Sequence, residues 1–190
     1  MPKRCWWATD GVLRMYHDLE WGVPMHDDSK LFEMLVLDGA QAGLSWVTIL
    51  KRRDDYRKAF DNFDPSKICK YDSRKVLRLL RNRGIIRNEL KIRSAINNAV
   101  HLMEVKAEFN SFDLFVWRFV NHKPILNRFE TPDKIPTNTS ISVSMSRELR
   151  KLGFTFVGPT ICYAFMQSIG LVNDHLVDCF RYGQLKEKYF

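Results

Sequence analysis

The chain has 190 residues, with 30 Lys+Arg against 22 Asp+Glu for a formal net charge of +8, and it is 45% hydrophobic and 13% aromatic with only 9 Gly and 7 Pro. That length suits one domain with its own core, and the composition excludes a disordered or collagen-like polypeptide. No apolar run approaches the roughly 18 residues of a membrane span, and no signal-peptide apolar core follows Met1, so a cytoplasmic protein with no membrane partner is expected.

Taken in chain order, helical periodicity dominates. Leu31, Met34, Leu35 and Asp38 recur at i, i+3, i+4 and i+7 behind the capping candidates Asp27, Asp28 and Ser29. Further helices are expected over 46–60, 73–82, 88–104, 112–121, 144–151 and 160–169. Asp64-Pro65 reads as an N-cap followed by proline at the first helical position. The polar stretch Phe129 to Ser146, with Pro132, Pro136 and Thr137-Asn138-Thr139-Ser140, reads as a long connection with little regular structure. The fold class is all-α, as a single domain over 1–190.

The charge is concentrated. Lys51 to Arg93 holds 15 Lys+Arg and 6 Asp+Glu, a net +9, so the rest of the chain sums to −1. Arg74, Arg78 and Arg81 share one face of a helix while Val76, Leu77 and Leu80 fall elsewhere, a stripe suited to a polyanion and equally to an ordinary solvated face.

Of the four cysteines, Cys69 and Cys162 sit in apolar helical contexts and read as core. His175-x3-Cys179 places two soft ligands four residues apart on one helix face, and Cys5 and His17 could complete a tetrahedral set. Borderline-soft Zn²⁺ takes thiolate and imidazole together, and four protein ligands leave no open position, so the ion would be structural, tying 1–20 to 170–185. The competing reading makes the histidines hydrogen-bonded core residues and the cysteines small hydrophobes.

Asp38 shares the apolar face of Leu31, Met34 and Leu35, and a carboxylate held there needs a partner. The following Gly39-Ala40-Gln41-Ala42-Gly43-Leu44-Ser45-Trp46 can turn an indole towards it, and Trp7, Tyr16 and Trp21 add aromatic surface. Aromatic planes beside one acceptor suit a flat, electron-poor or cationic heterocycle, although any one of these rings taken singly would pass as core. Farther on, Gly153-Phe154-Thr155-Phe156-Val157-Gly158-Pro159 interrupts two helices. A glycine-bearing turn that opens a helix at Thr160 presents unpaired N–H groups and a positive dipole end to phosphate, whatever the base sequence. Glycine turns between packed helices are also common. Leu79 to Arg93, around Gly84-Ile85-Ile86-Arg87, has a similar outline and more charge.

Together, Arg4-Cys5-x-Trp7, Tyr16-His17-Asp18-x-Glu20-Trp21-Gly22-Val23-Pro24, Gln41-Ala42-Gly43-Leu44-Ser45-Trp46 and Gly153 through Asn173-Asp174-His175-x-x-x-Cys179 resemble the 3-methyladenine DNA glycosylase I family. The resemblance runs from Arg4 to Cys179. It implies a helix-hairpin-helix glycosylase fold, with the hairpin at about 147–170 and Cys5, His17, His175 and Cys179 on the positions of zinc ligands. It further implies that a flipped base stacks on Trp46, contacts Tyr16, is lined by Trp7 and is hydrogen-bonded by a carboxylate at Asp38. Two positions depart from the family pattern. Asp38 stands where a family member carries Glu, one methylene longer, so either the backbone comes closer or a water bridges. Leu13 stands where a tyrosine can occur.

The implied reaction is hydrolytic excision of 3-methyladenine from double-stranded DNA, by a monomer carrying one structural Zn²⁺, on the nucleoid when bound. Asp38 accepts from the base, Leu44 at the tip of Gln41-Ala42-Gly43-Leu44 wedges into the vacated stack, and Phe156, Gly158 and Thr160 meet phosphate. No lysine occurs in the pocket motifs, so neither a Schiff base nor strand cleavage is expected. The rivals are a non-catalytic module that senses alkylation and an RNA-binding basic protein. The second gives no reason for an acid among tryptophans.

Overall fold

A computed structural model describes residues 2–9 and 11–190, so Met1 and Asp10 of the expected N-terminal metal segment lie outside the described residues. The helices are α1 (Gly11–Leu19), α2 (Asp28–Gln41), α3 (Trp46–Leu50), α4 (Arg53–Ala59), α5 (Pro65–Ile68), α6 (Ser73–Arg81), α7 (Glu89–Phe109), α8 (Phe112–Trp117), α9 (Ser140–Lys151), α10 (Pro159–Ser168) and α11 (Phe180–Tyr189). Most begin where a short polar side chain can accept from the first turn. Asp27 accepts from Lys30 N, Ser45 from Thr48 N, Asp64 from Ser66 N, Asp72 from Lys75 N and Asn88 from Lys91 N. No helix among the described residues is long and apolar enough to cross a membrane.

The sequence expectations for these elements need correction at several points, and the helix expected over 88–104 runs on to Phe109. The 46–60 helix is two, α3 and α4, broken at Lys51–Arg52, where Arg52 donates to the carbonyl of Arg83 at 2.7 Å. The 112–121 helix ends at Trp117 and continues as a 3₁₀ turn over Arg118–Val120. The connection after Phe129 stops at Thr139, because Thr139 and Ser142 form a reciprocal capping box that starts α9 at Ser140, ahead of the expected 144. On α6, Val76 and Leu79 are buried while Leu77 faces solvent with Arg74, Arg78 and Arg81.

The core gathers Leu31, Phe32 and Leu35 of α2, Phe112, Phe115 and Trp117 around α8, and Phe165 and Met166 of α10. Helix α10 packs between α9 and α2, and α7 runs along α5, α6 and α8. Two further features bring distant parts of the chain beside α10. Ile125–Leu126 pairs in parallel with Val172–Asn173, which carries the 127–139 connection back beside α10. The arm before α2 crosses the end of α10, with Gly22 N donating to Gln167 O and Met25 N to Ile169 O. Gly170, at φ +73°, is required there, since a Cβ would lie 2.4 Å from the Val23–Pro24 backbone.

Candidate active site and metal cluster

A cavity of about 510 Å³ opens where α1, α2, α3 and α10 meet the 132–137 connection. Of the residues singled out from sequence, it collects Trp7, Tyr16, Trp21, Asp38, Gln41, Trp46 and Thr160, together with Leu13. The rings contact each other edge-on: Trp7 meets Trp21 at 5.1 Å between centroids and Tyr16 meets Trp46 at 5.4 Å. Edge-to-face packing of this kind fixes ring orientation as well as burying area.

Asp38 is 5% exposed, near the C-terminal end of α2, where the helix dipole adds nothing favourable to a negative charge. Ser168 Oγ donates to its Oδ2 at 3.0 Å, across 130 positions of sequence. The same hydroxyl also lies 2.9 Å from the carbonyl of Phe165, and one proton cannot serve both acceptors fully. Burial pushes the Asp38 carboxyl up to about 8, and the Ser168 hydroxyl only partly opposes it. Burial, followed by the nearby Asp38 carboxylate, likewise raises the Tyr16 phenol.

Sequence reasoning missed Ser168 and three residues that α10 adds to the wall, Tyr163, Ala164 and Gln167. Asp174 is 1% exposed and accepts from Tyr163 Oη at 2.5 Å, Gln167 Nε2 at 2.8 Å and Asn127 Nδ2 at 2.7 Å, so it orients two of them. Trp6, 53% exposed at the mouth, and Pro132, Ile135, Pro136 and Thr137 opposite were also missed. The only warning in the sequence was general: a buried acid on α2 needs some donor, and nothing in the chain says which element brings it.

The other expected positions lie outside the cavity. Gly43, at φ +76°, and Leu44, 40% exposed, form the projecting turn between α2 and α3. Phe156, at φ +54°, and Gly158 sit in the turn between α9 and α10, and the half-buried Phe156 packs on Gly39 of α2. Gly158 caps α10 without a side chain, and Pro159 has no N–H to satisfy.

Behind the aromatic wall, the ligand atoms of Cys5, His17, His175 and Cys179 all lie within 4.8 Å of one another, and all four residues are buried. One expectation needs correcting. His175 and Cys179 share no helix; they flank a tight turn, and Cys179 is the N-cap of α11. Secondary contacts fix both imidazole tautomers. His17 Nδ1 lies 2.7 Å from Asp18 Oδ1, itself clamped by Arg4, and His175 Nε2 lies 3.0 Å from the carbonyl of Trp21. Each of these nitrogens must therefore carry its proton, leaving His17 Nε2 and His175 Nδ1 as lone pairs turned to the sulfurs. The hydrogen bond from the Cys5 thiol holds Cys179 well below an ordinary thiol, and Cys5 is raised correspondingly. Burial keeps His175 neutral. A thiolate, a second thiol and two neutral imidazoles around one point could hold a metal ion. Cys162 is buried and Cys69 half-buried, as expected of core thiols.

A model of the methyladenine glycosylase family matches residues 6–182. The chain belongs to the methyladenine glycosylase family. This family member is 49% identical over 178 residues to DNA-3-methyladenine glycosylase 1 of Escherichia coli K12, covering 93% of this chain and 95% of that one. A crystal structure of a 3-methyladenine DNA glycosylase I superposes with a TM-score of 0.91 at 49% identity, over 94% of this chain and 98% of the other. The Staphylococcus aureus enzyme, solved to explain its recognition of 3-methyladenine, superposes at 0.89 with 34% identity, over 90% and 92%. Membership makes the chain a DNA glycosylase, an enzyme rather than a silent sensor or an RNA-binding protein.

Proposed function

We propose that this glycosylase flips 3-methyladenine out of double-stranded DNA into the aromatic cavity and hydrolyses its N-glycosidic bond, leaving an abasic site for base excision repair. The observation that carries this reading is Asp38, a buried carboxylate on an aromatic cavity wall that is held by a hydroxyl rather than by a cation. A deoxyadenosine methylated at N3 is cationic, and it brings into the cavity a positive charge that none of the described lining residues supplies. Its exocyclic amine donates to Asp38, while its face meets Trp46 and Tyr16 with cation–π and stacking energies of about 1–3 kcal/mol. Those contacts offset the few kcal/mol spent on unstacking the base.

The reaction needs little acid catalysis, because the leaving base is already charged. As the C1′–N9 bond breaks, its electron pair moves to the base and cancels that charge, and water adds to the oxocarbenium-like C1′ and releases its proton to solvent. The described residues lining the cavity include no lysine, which favours direct hydrolysis over a Schiff base and a monofunctional enzyme that leaves the strand intact. Outside the cavity, Leu44 on its projecting turn fills the gap in the stack, with Gln41 and Gly43 at its base. The uncapped first turn of α10 at Gly158–Thr160, with Phe156 shaping the turn before it, takes a phosphate. The basic span Lys51–Arg93 supplies salt-dependent affinity.

The metal is zinc in this reading. What supports it is spacing: Zn–S of about 2.3 Å and Zn–N of about 2.0–2.1 Å at tetrahedral angles separate S from N by about 3.5–3.6 Å. Cys5 Sγ to His175 Nδ1 is 3.6 Å, Cys179 Sγ to His175 Nδ1 is 3.6 Å and Cys179 Sγ to His17 Nε2 is 3.4 Å. When bound, the ion cross-links the N-terminal arm to the C-terminal turn. Because Trp7 stands two residues from Cys5, Tyr16 adjoins His17 and the Trp21 carbonyl accepts from His175 Nε2, that cross-link also steadies the cavity wall.

Base release decides the reading. A methylated duplex should yield free 3-methyladenine and sites that break only in alkali; nicks without alkali would contradict the monofunctional step. Metal analysis in reducing buffer should find one zinc per chain, and sedimentation should find a monomer. Recovery in the cytoplasmic fraction is expected.

A further inference from the structure

Helix α7 brings a charged side chain to a place its own electrostatics disfavours. Lys91 lies in the first turn of α7, where the positive dipole end repels a cation, and burial lowers its ammonium below the ordinary lysine range. Its Nζ donates to the carbonyls of Ala40 at 2.8 Å and Ala42 at 2.7 Å. These belong to the last turn and the C-cap of α2, so the ammonium satisfies orphan carbonyls at another helix's negative end. Ala42 is also where the chain leaves Asp38's helix for Gly43 and Leu44. A Cβ at Gly43 would meet no atom of the described residues within 4 Å, so the tip projects and is held from its base. One side of that base is Ser45, capping α3; the other is Lys91.

The same face of α7 grips the turn between α9 and α10. Ser94 and Asn98 follow Lys91 at i+3 and i+7. Asn98 Oδ1 accepts from Thr155 N at 2.9 Å, its Nδ2 donates to Thr155 O at 2.9 Å, and Thr155 Oγ1 lies 2.8 Å from Ser94 Oγ. One rigid helix face thus touches both elements that reach DNA from either side of the cavity.

We infer that Lys91 is a positioning residue for DNA engagement, which sets the Gly43–Leu44 turn against the α9–α10 turn so that wedge and phosphate cradle meet the duplex together. The inference rests on the roles given to those two turns under the proposed function. It concerns the duplex only, since neither Gly43–Leu44 nor 153–158 lines the cavity that would take the free base.

The full chain is tested against a methylated duplex and against free 3-methyladenine, the latter by tryptophan fluorescence. Lys91→Met should lower kcat/KM on the duplex about tenfold, a misplacement effect, while the Kd for free base stays within about twofold and Lys91→Arg recovers most of the loss. Equal losses on both ligands would reduce Lys91 to a general structural residue and overturn the inference, as would full duplex activity. The slope of log K against log salt should not change, because Nζ is occupied by carbonyls; a slope smaller by about one would make Lys91 a phosphate contact instead. In a Leu44→Ala background Lys91→Met should add little, since both act through one turn. Full duplex activity of Leu44→Ala by itself would overturn the wedge reading, and with it the route through this turn. If Lys91→Met melts early, Lys91→Gln supports the same comparison.

Discussion

Helix α2 carries two buried carboxylates that are treated in opposite ways. Glu33, 6% exposed, receives Arg53 Nε at 2.5 Å and both Nε and Nη2 of Arg57 at 3.1 and 2.9 Å, while Arg53 reaches on to Glu20. Asp38, 5% exposed and five positions later, has a serine hydroxyl. A buried charge is tolerable only when paired, so Glu33 is complete within the fold and Asp38 is completed from outside, by a cation entering its cavity. Equal burial therefore hides opposite purposes, and the partner distinguishes them.

The largest expected effect separates the two acids by activity. Asp38→Asn should cut excision of 3-methyladenine by about two to three powers of ten, or roughly 3–4 kcal/mol, as for removal of one preorganised electrostatic group. The variant should nonetheless stay folded. Wild-type excision by Asp38→Asn, measured in single-turnover assays of base release, would erase the distinction between the two acids.

Glu33→Gln should do the reverse. It leaves two guanidinium groups facing a neutral amide. With Arg53 largely buried and Arg57 partly solvated, the expected loss is about 2–3 kcal/mol of stability in urea denaturation, at near-normal excision per folded molecule. A catalytic defect in Glu33→Gln that exceeded its folding defect would place the arginine network in the reaction.

The two acids also differ in what pH does to stability. Asp38 titrates near 8 in the folded chain and at an ordinary 3.8 when unfolded. Between those values the folded state keeps a proton that the unfolded state has released. Stability from this group is therefore complete below about pH 4, and falls by up to about 1.4 kcal/mol per pH unit until it levels off above about pH 8. Asp38→Asn removes that dependence. The variant should match the wild type near pH 4 and exceed it increasingly towards pH 8, with denaturation curves at a series of pH values as the check. A gap that stays constant with pH would mean that the carboxyl is not held neutral by burial.

How far these features were legible follows from the kind of signal each one leaves. Asp38 and its aromatic neighbours stood out because an acid on an apolar stripe and a tryptophan beside glycines are locally improbable. Ser168 left no such trace, since serine is common and its partner is 130 positions away. Lys91 was equally silent, because its acceptors are backbone carbonyls, which have no sequence signature. The spacing of His175 and Cys179 was informative although its assumed cause was wrong, as a tight turn also brings residues four apart to one point. Thr139 was lost to the opposite error, a polar run read as a linker when it held a capping box. Caps such as Asp64 before Pro65 were legible because their signal is local.

The smallest expected effect tests the weak partner itself. Ionised Asp38 and the Phe165 carbonyl compete for the single proton of Ser168, whereas a protonated Asp38 can donate to Ser168 Oγ and release that proton to Phe165. Excision should therefore rise with pH to a plateau above about 8, because kcat/KM follows the ionised acid of the free enzyme. Ser168→Ala removes the donor that favours the anion, so the rising limb should move to higher pH. A hydrogen bond to a charged group contributes about 1.5–3 kcal/mol, and one shared with the Phe165 carbonyl falls at the low end, which corresponds to roughly one pH unit. The plateau should change little, since the bound cationic base ionises Asp38 whether or not the hydroxyl is present. A limb that moved to lower pH would show that Ser168 favours the neutral acid. Asp38 would then have to ionise against both of its surroundings, burial and hydroxyl alike, on each turnover.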